Sequence, residues 1–375
     1  MKTEHKLKIL FIMPSMGGGG AERVLINLLN LLNYDAYEVK LIVIMNKGKL
    51  WEDIPKDVNK ISLHIHPMIY KTISYTLRIF HLNLFFLLGH NIKGNYDIGI
   101  SFMDSILTEL LFLKKLNLKR KMTVIHSSYK SYKNRSKFFK GSYKKLISAR
   151  YDKLDNIICV SDEAKEEFID LFGQRHKTQV IYNPLNVQDI INKANEPIPA
   201  ALKKKVFHFV AVGSLIPVKG YELLIKACLL LKNKSINFHL HILGDGRLQD
   251  NLIYDLKLEN HITLHGFKQN PYIWIKNADA FIMSSKVEGL PTVLCESLVL
   301  QKPVIAPNVP GCREVIGHGE FGLICERNEL AFSKAMTKFI QNPKIASEYE
   351  MKAVERSKIF SDKVAIKKYQ TLFHA

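Results

Sequence analysis

Glu288 and Glu296 stand eight residues apart in the stretch Ser284-Ser-Lys-Val-Glu288-Gly-Leu-Pro291-Thr-Val-Leu-Cys-Glu296. The apolar run from Ala280 to Met283 predicts a buried strand, two serines end it, and Glu288-Gly289 predicts a turn. Pro291 suits the first turn of a helix, where its missing N–H would be unpaired in any case. The turn formed by Gly289, Leu290, Pro291 and Thr292 then leaves the N–H groups of Leu290, Thr292 and Val293 pointing out of a helix end. Orphan donors and a positive dipole at such an end attract phosphate. A carboxylate cannot share the place of a diphosphate, so both glutamates suit uncharged hydroxyls. The plainer alternative is that glutamates near a helix N-terminus serve only the dipole.

Three further groups have chemistry to offer. Lys219 closes the segment Gly213-Ser214-Leu-Ile-Pro-Val-Lys219-Gly220, where it either balances phosphate charge or is simply solvated. His126 ends the apolar run Met122–Ile125 at the edge of a predicted strand, where it either meets a hydroxyl or is a satisfied structural residue. Gly17-Gly18-Gly19-Gly20 follows the first predicted strand, and Gly19 and Gly20 lack side chains that would keep a ligand from the backbone. This run is no dinucleotide fingerprint, because the third glycine of that pattern falls on Glu22 or Arg23. A tight turn is the alternative.

These residues need a frame, and the chain supplies one twice. Buried strands are predicted at 6–14, 37–45, 61–66, 97–103, 121–127, 156–161 and 178–183, with helical segments between most of them. After a connector with Pro197 and Pro199, strands are predicted at 206–212, 237–243, 261–267, 279–285, 302–307 and 321–325, alternating with helices in the same way. The expected fold class is α/β, with two Rossmann-like, doubly wound parallel-sheet lobes. We place the first lobe at 1–185 and the second at 186–360, followed by the amphipathic C-terminal segment 361–375. Leu77–Leu88, interrupted by Arg78, His81 and Asn83, reads as a core helix and not a membrane span.

The five cysteines are odd in number and scattered, which fits a reducing compartment and neither a disulfide framework nor a zinc site. The polar lead before the first strand does not look like a signal peptide. The net charge of +19 is concentrated: residues 114–153 hold fourteen basic side chains against the single Asp152, leaving +13 there. Tyr129, Tyr132, Phe138, Phe139 and Tyr143 are interleaved with them. Nucleic acid, an anionic membrane or plain solvation would each suit such a stretch. No Asp-x-Asp occurs, so the usual carboxylate pair for a metal–diphosphate bridge is missing and no metal is expected.

The string Ser284-x3-Glu288-Gly-Leu-Pro-x4-Glu296, followed by Lys302-Pro303-Val304-Ile305, resembles the signature of retaining glycosyltransferase family 4. Gly19-Gly20-Ala-Glu-Arg and Gly213–Gly220 resemble that family's other loops, although the arginine it places at position 214 is Ser214 here. The resemblance implies a GT-B architecture of two lobes facing a central cleft, with the C-terminal helix 361–375 rejoining the first lobe, and transfer of a sugar from a nucleotide donor, by family habit a UDP-sugar. It assigns Glu288 to the donor sugar, Glu296 to the ribose, Lys219 and Gly19–Gly20 to the diphosphate, and His126 to the transferred sugar. Glu314, in Gly311-Cys-Arg-Glu314, matches the pattern too and reads first as a loop anchor. The Gly266–Pro271 stretch resembles bacterial enzymes that build capsule, O-antigen or other lipid-linked glycans. A polyprenyl-linked oligosaccharide acceptor follows, with cytoplasmic placement, peripheral docking of 114–153 on the anionic inner membrane, and no nucleic acid. A sugar-nucleotide epimerase on the same fold, or a basic nucleic-acid-binding protein, are the competing expectations.

Overall fold

The computed structural model describes residues 6–45, 48–80, 87, 92–104, 106–126, 128–129, 141–202, 206–246 and 251–375. The chain divides into two compact units, one formed by Met1–Pro184 with Asp362–Ala375 and the other by Leu185–Ser361.

The first unit is built on seven strands, β1 (Leu7–Met13), β2 (Tyr37–Val43), β3 (Asn59–Ser62), β4 (Gly94–Ser101), β5 (Leu116–Ile125), β6 (Asn156–Cys159) and β7 (Thr178–Val180). They pair throughout in parallel, in the order β3-β2-β1-β4-β5-β6-β7. Central strands are covered on both faces, which is why β1 reads as a continuous apolar run with Ile9 to Met13 fully buried. The sequence places the start of β5 at 121, five residues late. Leu116 and Leu118 are buried, whereas Asn117 and Lys119 between them are exposed, so this half of the strand alternates and has no apolar run to find. The Asp362–His374 helix belongs to this unit and buries Ala365, Tyr369, Leu372 and Phe373. Arg120 holds it by donating to the carbonyls of Leu372 (2.8 Å) and Phe373 (3.2 Å), two of the acceptors a helix end leaves unpaired.

The second unit repeats the plan with six parallel strands, β8 (Phe207–Val212), β9 (Phe238–Leu243), β10 (Ile262–Leu264), β11 (Ala280–Ile282), β12 (Val304–Pro307) and β13 (Leu323–Cys325), in the order β10-β9-β8-β11-β12-β13. Each sheet reverses direction of winding beside its first strand, at β1/β4 and at β8/β11. There the flanking helices diverge, and the loops leaving the carboxyl ends of the strands open a crevice. No helix among the described residues is long and apolar enough to cross a membrane. Most of 81–91 lies outside the described residues; the helix before it is Pro67–Phe80, with Ile73 and Leu77 buried.

Candidate donor site at the second switch point

The loops leaving β8 and β11 are fastened to one another. Lys286 N donates to Val218 O at 2.7 Å, and Ser284 Oγ to Lys219 O at 3.0 Å. Between these bonds Gly220 has φ +69° and passes so close that a β-carbon there would lie 2.3 Å from Ser284 O. Only glycine tolerates both the left-handed backbone and that approach. The fastening brings Lys219 Nζ to 2.6 Å from Glu288 Oε1, with the lysine side chain one-quarter exposed and the glutamate 13% exposed. A half-buried ammonium and a carboxylate therefore stand together at the switch point. Tyr221, at the start of the Tyr221–Asn233 helix, donates its hydroxyl to Gly213 O at 3.1 Å. Burial, and secondarily the charge of Glu288, pushes its phenol well above the usual tyrosine range.

Pro291 is the N-cap of the Thr292–Val299 helix, just before the first turn in which the sequence places it, and no side chain caps this end. Leu294 N and Cys295 N both bond to Pro291 O, at 3.0 and 3.2 Å. Thr292 and Val293 are half-buried at the open end, and Gly289 and Leu290 are buried beside it. A second close approach holds the turn from behind: Gly311 has φ +24°, and a β-carbon on it would come within 2.4 Å of Gly289 O. Glu296 is buried on the second turn of the helix, and the Tyr272 hydroxyl donates to its Oε1 at 3.4 Å. Glu314 is buried too, with its backbone carbonyl and that of Val315 accepting from Arg356.

Ser214 is exposed on the loop after β8, which lies on Gly244-Asp245-Gly246 after β9. A β-carbon on Gly244 would meet Gly213 O, and one on Gly246 would meet Leu215 O at 2.4 Å. Leu215 N also donates to Asp245 O at 2.8 Å. Neither this glycine pair nor Tyr221 and Tyr272 stands out among the sequence motifs, and Gly311 enters there only within the Gly311–Glu314 string. A Gly-x-Gly directly after a buried strand is a signal of close backbone approach and was there to be used.

Gly19, Gly20 and His126 stand in the first unit. Gly18 has φ +111°, Gly19 is the N-cap of the Gly20–Leu31 helix, and the Glu22 carboxylate folds back over Gly19. His126 follows β5 directly, its ring 5.2 Å from that of Phe102. Its Nε2 is buried and finds no partner among the described residues. Burial pushes the imidazole down to about 4, opposed by a hydrogen bond to the Phe102 backbone. The ring is thus neutral at pH 7. Because the folded value lies below the unfolded one (about 6.5), the unfolded chain takes up this proton first, and stability falls as pH drops from 6.5 towards 4. His126→Gln is expected to remove about 3 kcal/mol of that loss, seen as a smaller decline in melting temperature between pH 7 and 4.5 than wild type shows.

Part of the basic segment is engaged within the fold: Lys119, Arg120 and Lys121 lie in β5 itself, with Lys114 and Lys115 just before it. Lys119 pairs with Asp97 at 2.7 Å, Arg120 holds the C-terminal helix, and Arg150 pairs with Glu109 in the core. The expected docking residues Lys133, Arg135, Lys137 and Lys140 lie outside the described residues.

Residues 18–189 match the family model described as Glycosyltransferase Family 4, and residues 192–358 the model described as Glycosyl transferases group 1. The chain is 32% identical to the Campylobacter jejuni N-acetylgalactosamine-N,N'-diacetylbacillosaminyl-diphospho-undecaprenol 4-alpha-N-acetylgalactosaminyltransferase, over 96% of this chain and 97% of that one. The chain belongs to glycosyltransferase family 4. It is also 26% identical, over 88% of its length and 87% of the relative, to the Escherichia coli UDP-Gal:alpha-D-GlcNAc-diphosphoundecaprenol alpha-1,3-galactosyltransferase. Its fold is GT-B, like that of a Staphylococcus aureus TarM variant solved with fondaparinux, alpha-GlcNAc-glycerol and UDP (TM-score 0.76, 15% identity, 98% of this chain and 100% of that chain). The protein is thus a glycosyltransferase, and the loops at β8 and β11 are the candidate donor site of this family 4 enzyme.

Proposed function

We propose that this enzyme transfers a sugar from a uridine diphosphate sugar, with retention at the anomeric carbon, to a polyprenyl-diphosphate-linked oligosaccharide of the cell envelope. The observation that carries the reading is the Lys219–Glu288 pair beside the uncapped Thr292–Val299 helix. Lys219 and the open helix end offer a cation and donors to the departing diphosphate, where charge develops in the transition state. Glu288, released from Lys219, accepts from the sugar hydroxyls, and Glu296 accepts from the ribose. The uridine and the lipid-linked acceptor are supported by the names of the relatives. Incubating the enzyme with UDP-N-acetylgalactosamine, UDP-galactose or UDP-N-acetylglucosamine and a short diphospholipid-linked acceptor tests the reading directly. An α-linked product is expected from at least one donor; a product of inverted configuration, or none with any donor, counts against it.

The charge on the diphosphate is balanced by Lys219 and backbone donors, without a metal, because the chain has no Asp-x-Asp to hold one. Transfer is therefore expected to proceed at an unchanged rate in excess EDTA. Loss of activity that Mg²⁺ or Mn²⁺ restores would contradict this assignment.

We further place the enzyme on the cytoplasmic face of an anionic membrane, held through the part of the basic segment that follows His126. Each basic residue near such a surface contributes about 1 kcal/mol, fading within a Debye length. Co-sedimentation with vesicles containing acidic lipid, release at high salt, and loss on replacing Lys133, Arg135, Lys137 and Lys140 by glutamate are the expected results. Equal binding to neutral vesicles would rule out this surface.

A further inference from the structure

The stretch Gly266–Pro271 carries no group that the proposed reaction uses, yet it is tied down along its length. Gly266 has φ +65°, and its carbonyl accepts from Gly244 N at 2.9 Å. Phe267 N donates to Asp245 Oδ1 at 2.8 Å. Asn270 is bonded at both ends of its amide: Nδ2 donates to Lys193 O at 2.9 Å, and Oδ1 accepts from Tyr272 N at 3.1 Å. Pro271 then starts the Tyr272–Asn277 helix, with its carbonyl accepting from Trp274 N and Ile275 N. The Trp274 ring lies against His265 at 4.2 Å between centroids and against His241 at 5.6 Å. A helix of six residues has little stability of its own. Here a proline, an asparagine clamp and an aromatic stack fix where it starts and which way it turns.

What this seating aims is the Tyr272 hydroxyl. It donates to Glu296 Oε1, and both residues are 9% exposed. Glu296 shares its helix with buried Leu294, Leu298 and Val299, surroundings that penalise a charged carboxylate unless donors compensate it. A phenol at the end of a rigid ring fixes the orientation of a carboxylate at little cost in side-chain freedom, whereas a lysine would fix its charge but not its plane. We propose that Tyr272 is a positioning residue: it holds Glu296 charged and turned to accept from the hydroxyls of the donor's ribose, and Gly266–Pro271 exists to seat it. The inference rests on the donor-site reading above, and deepens it.

Tyr272→Phe removes one oxygen and keeps the ring. It is expected to raise the Kd for UDP and the KM for the donor about tenfold, the worth of one hydrogen bond to a charged group, with kcat within twofold of wild type and an unchanged melting temperature. Because the hydroxyl acts through Glu296, the Tyr272→Phe/Glu296→Gln pair is expected to bind UDP as Glu296→Gln alone does. The tenfold loss should also vanish when the probe is 2′,3′-dideoxyuridine diphosphate, which has no ribose hydroxyls to offer. UDP affinity unchanged in Tyr272→Phe, when Glu296→Gln is weakened, overturns the inference and leaves the donor site standing. A loss that persists in full in the double variant, or with the dideoxy probe, overturns it likewise. A wild-type enzyme that binds no UDP overturns the donor-site reading and this inference with it.

Discussion

Glu288→Ala is expected to lower the rate of sugar transfer by about a thousandfold, the scale seen when one preorganised transition-state contact is removed, while UDP binds as tightly as before or more tightly. The two halves of this expectation come from the same pair. Glu288 Oε1 stands 2.6 Å from Lys219 Nζ. A diphosphate must displace that carboxylate before it gains the ammonium, so removing the glutamate removes a competitor for the product nucleotide. The same removal takes away the acceptor for the sugar hydroxyls and the geometry they impose. A fall in UDP affinity that matched the fall in rate would mean that Glu288 acts on the nucleotide and not on the sugar. Melting curves separate both outcomes from unfolding; little change is expected, since a partly exposed pair is worth only about 1 kcal/mol or less.

Gly220→Ala is the second large effect. The added carbon would sit 2.3 Å from Ser284 O in a backbone region that costs an alanine roughly 1 kcal/mol even without a clash. Relief requires the loops after β8 and β11 to separate, which breaks the Lys286–Val218 and Ser284–Lys219 bonds together. We expect a loss of about 2–4 kcal/mol in stability and at least a hundredfold loss of donor binding, even though residue 220 carries no chemical group. Gly173→Ala makes a useful contrast, because it shares the left-handed backbone (φ +74°) while its β-carbon would meet nothing within 4 Å. If Gly220→Ala binds UDP normally, the fastening of the two loops is not what builds the site.

Much of this architecture is legible in the sequence because central parallel strands are buried on both faces. Val206–Val212 and the run from Ala280 announce themselves as apolar blocks, and β8 and β11 lie within them. The failures have the same origin. Where a strand exposes every second residue, as from Leu116 to Arg120, the block disappears into alternating lysines. At the edge of the first sheet, β3 carries Asn59 and Lys60 and begins two residues before the apolar positions suggest. A count of charge along the chain cannot see that Arg120 and Arg150 are already spent on the fold.

At the candidate site, the local pattern from Ser284 to Glu296 was readable because strand, turn and helix end follow each other in the chain. Partners that come from distant segments were not. Tyr272 meets Glu296 across 24 residues, and Gly311 supports Gly289 from the loop after β12. Such pairings depend on which strands are neighbours, and that is decided by sheet order. The close approaches of Gly244 and Gly246 to the 213–215 loop follow from the pairing of β8 with β9 in the same way.

The central claim is that the loops after β8 and β11 hold a nucleoside diphosphate through Lys219 and present its sugar to Glu288. Titration calorimetry of UDP into wild type, Lys219→Ala and Glu288→Ala tests it most directly. The account predicts measurable binding to wild type, at least tenfold weaker binding to Lys219→Ala, and undiminished binding to Glu288→Ala. Equal UDP affinity in wild type and Lys219→Ala would contradict it.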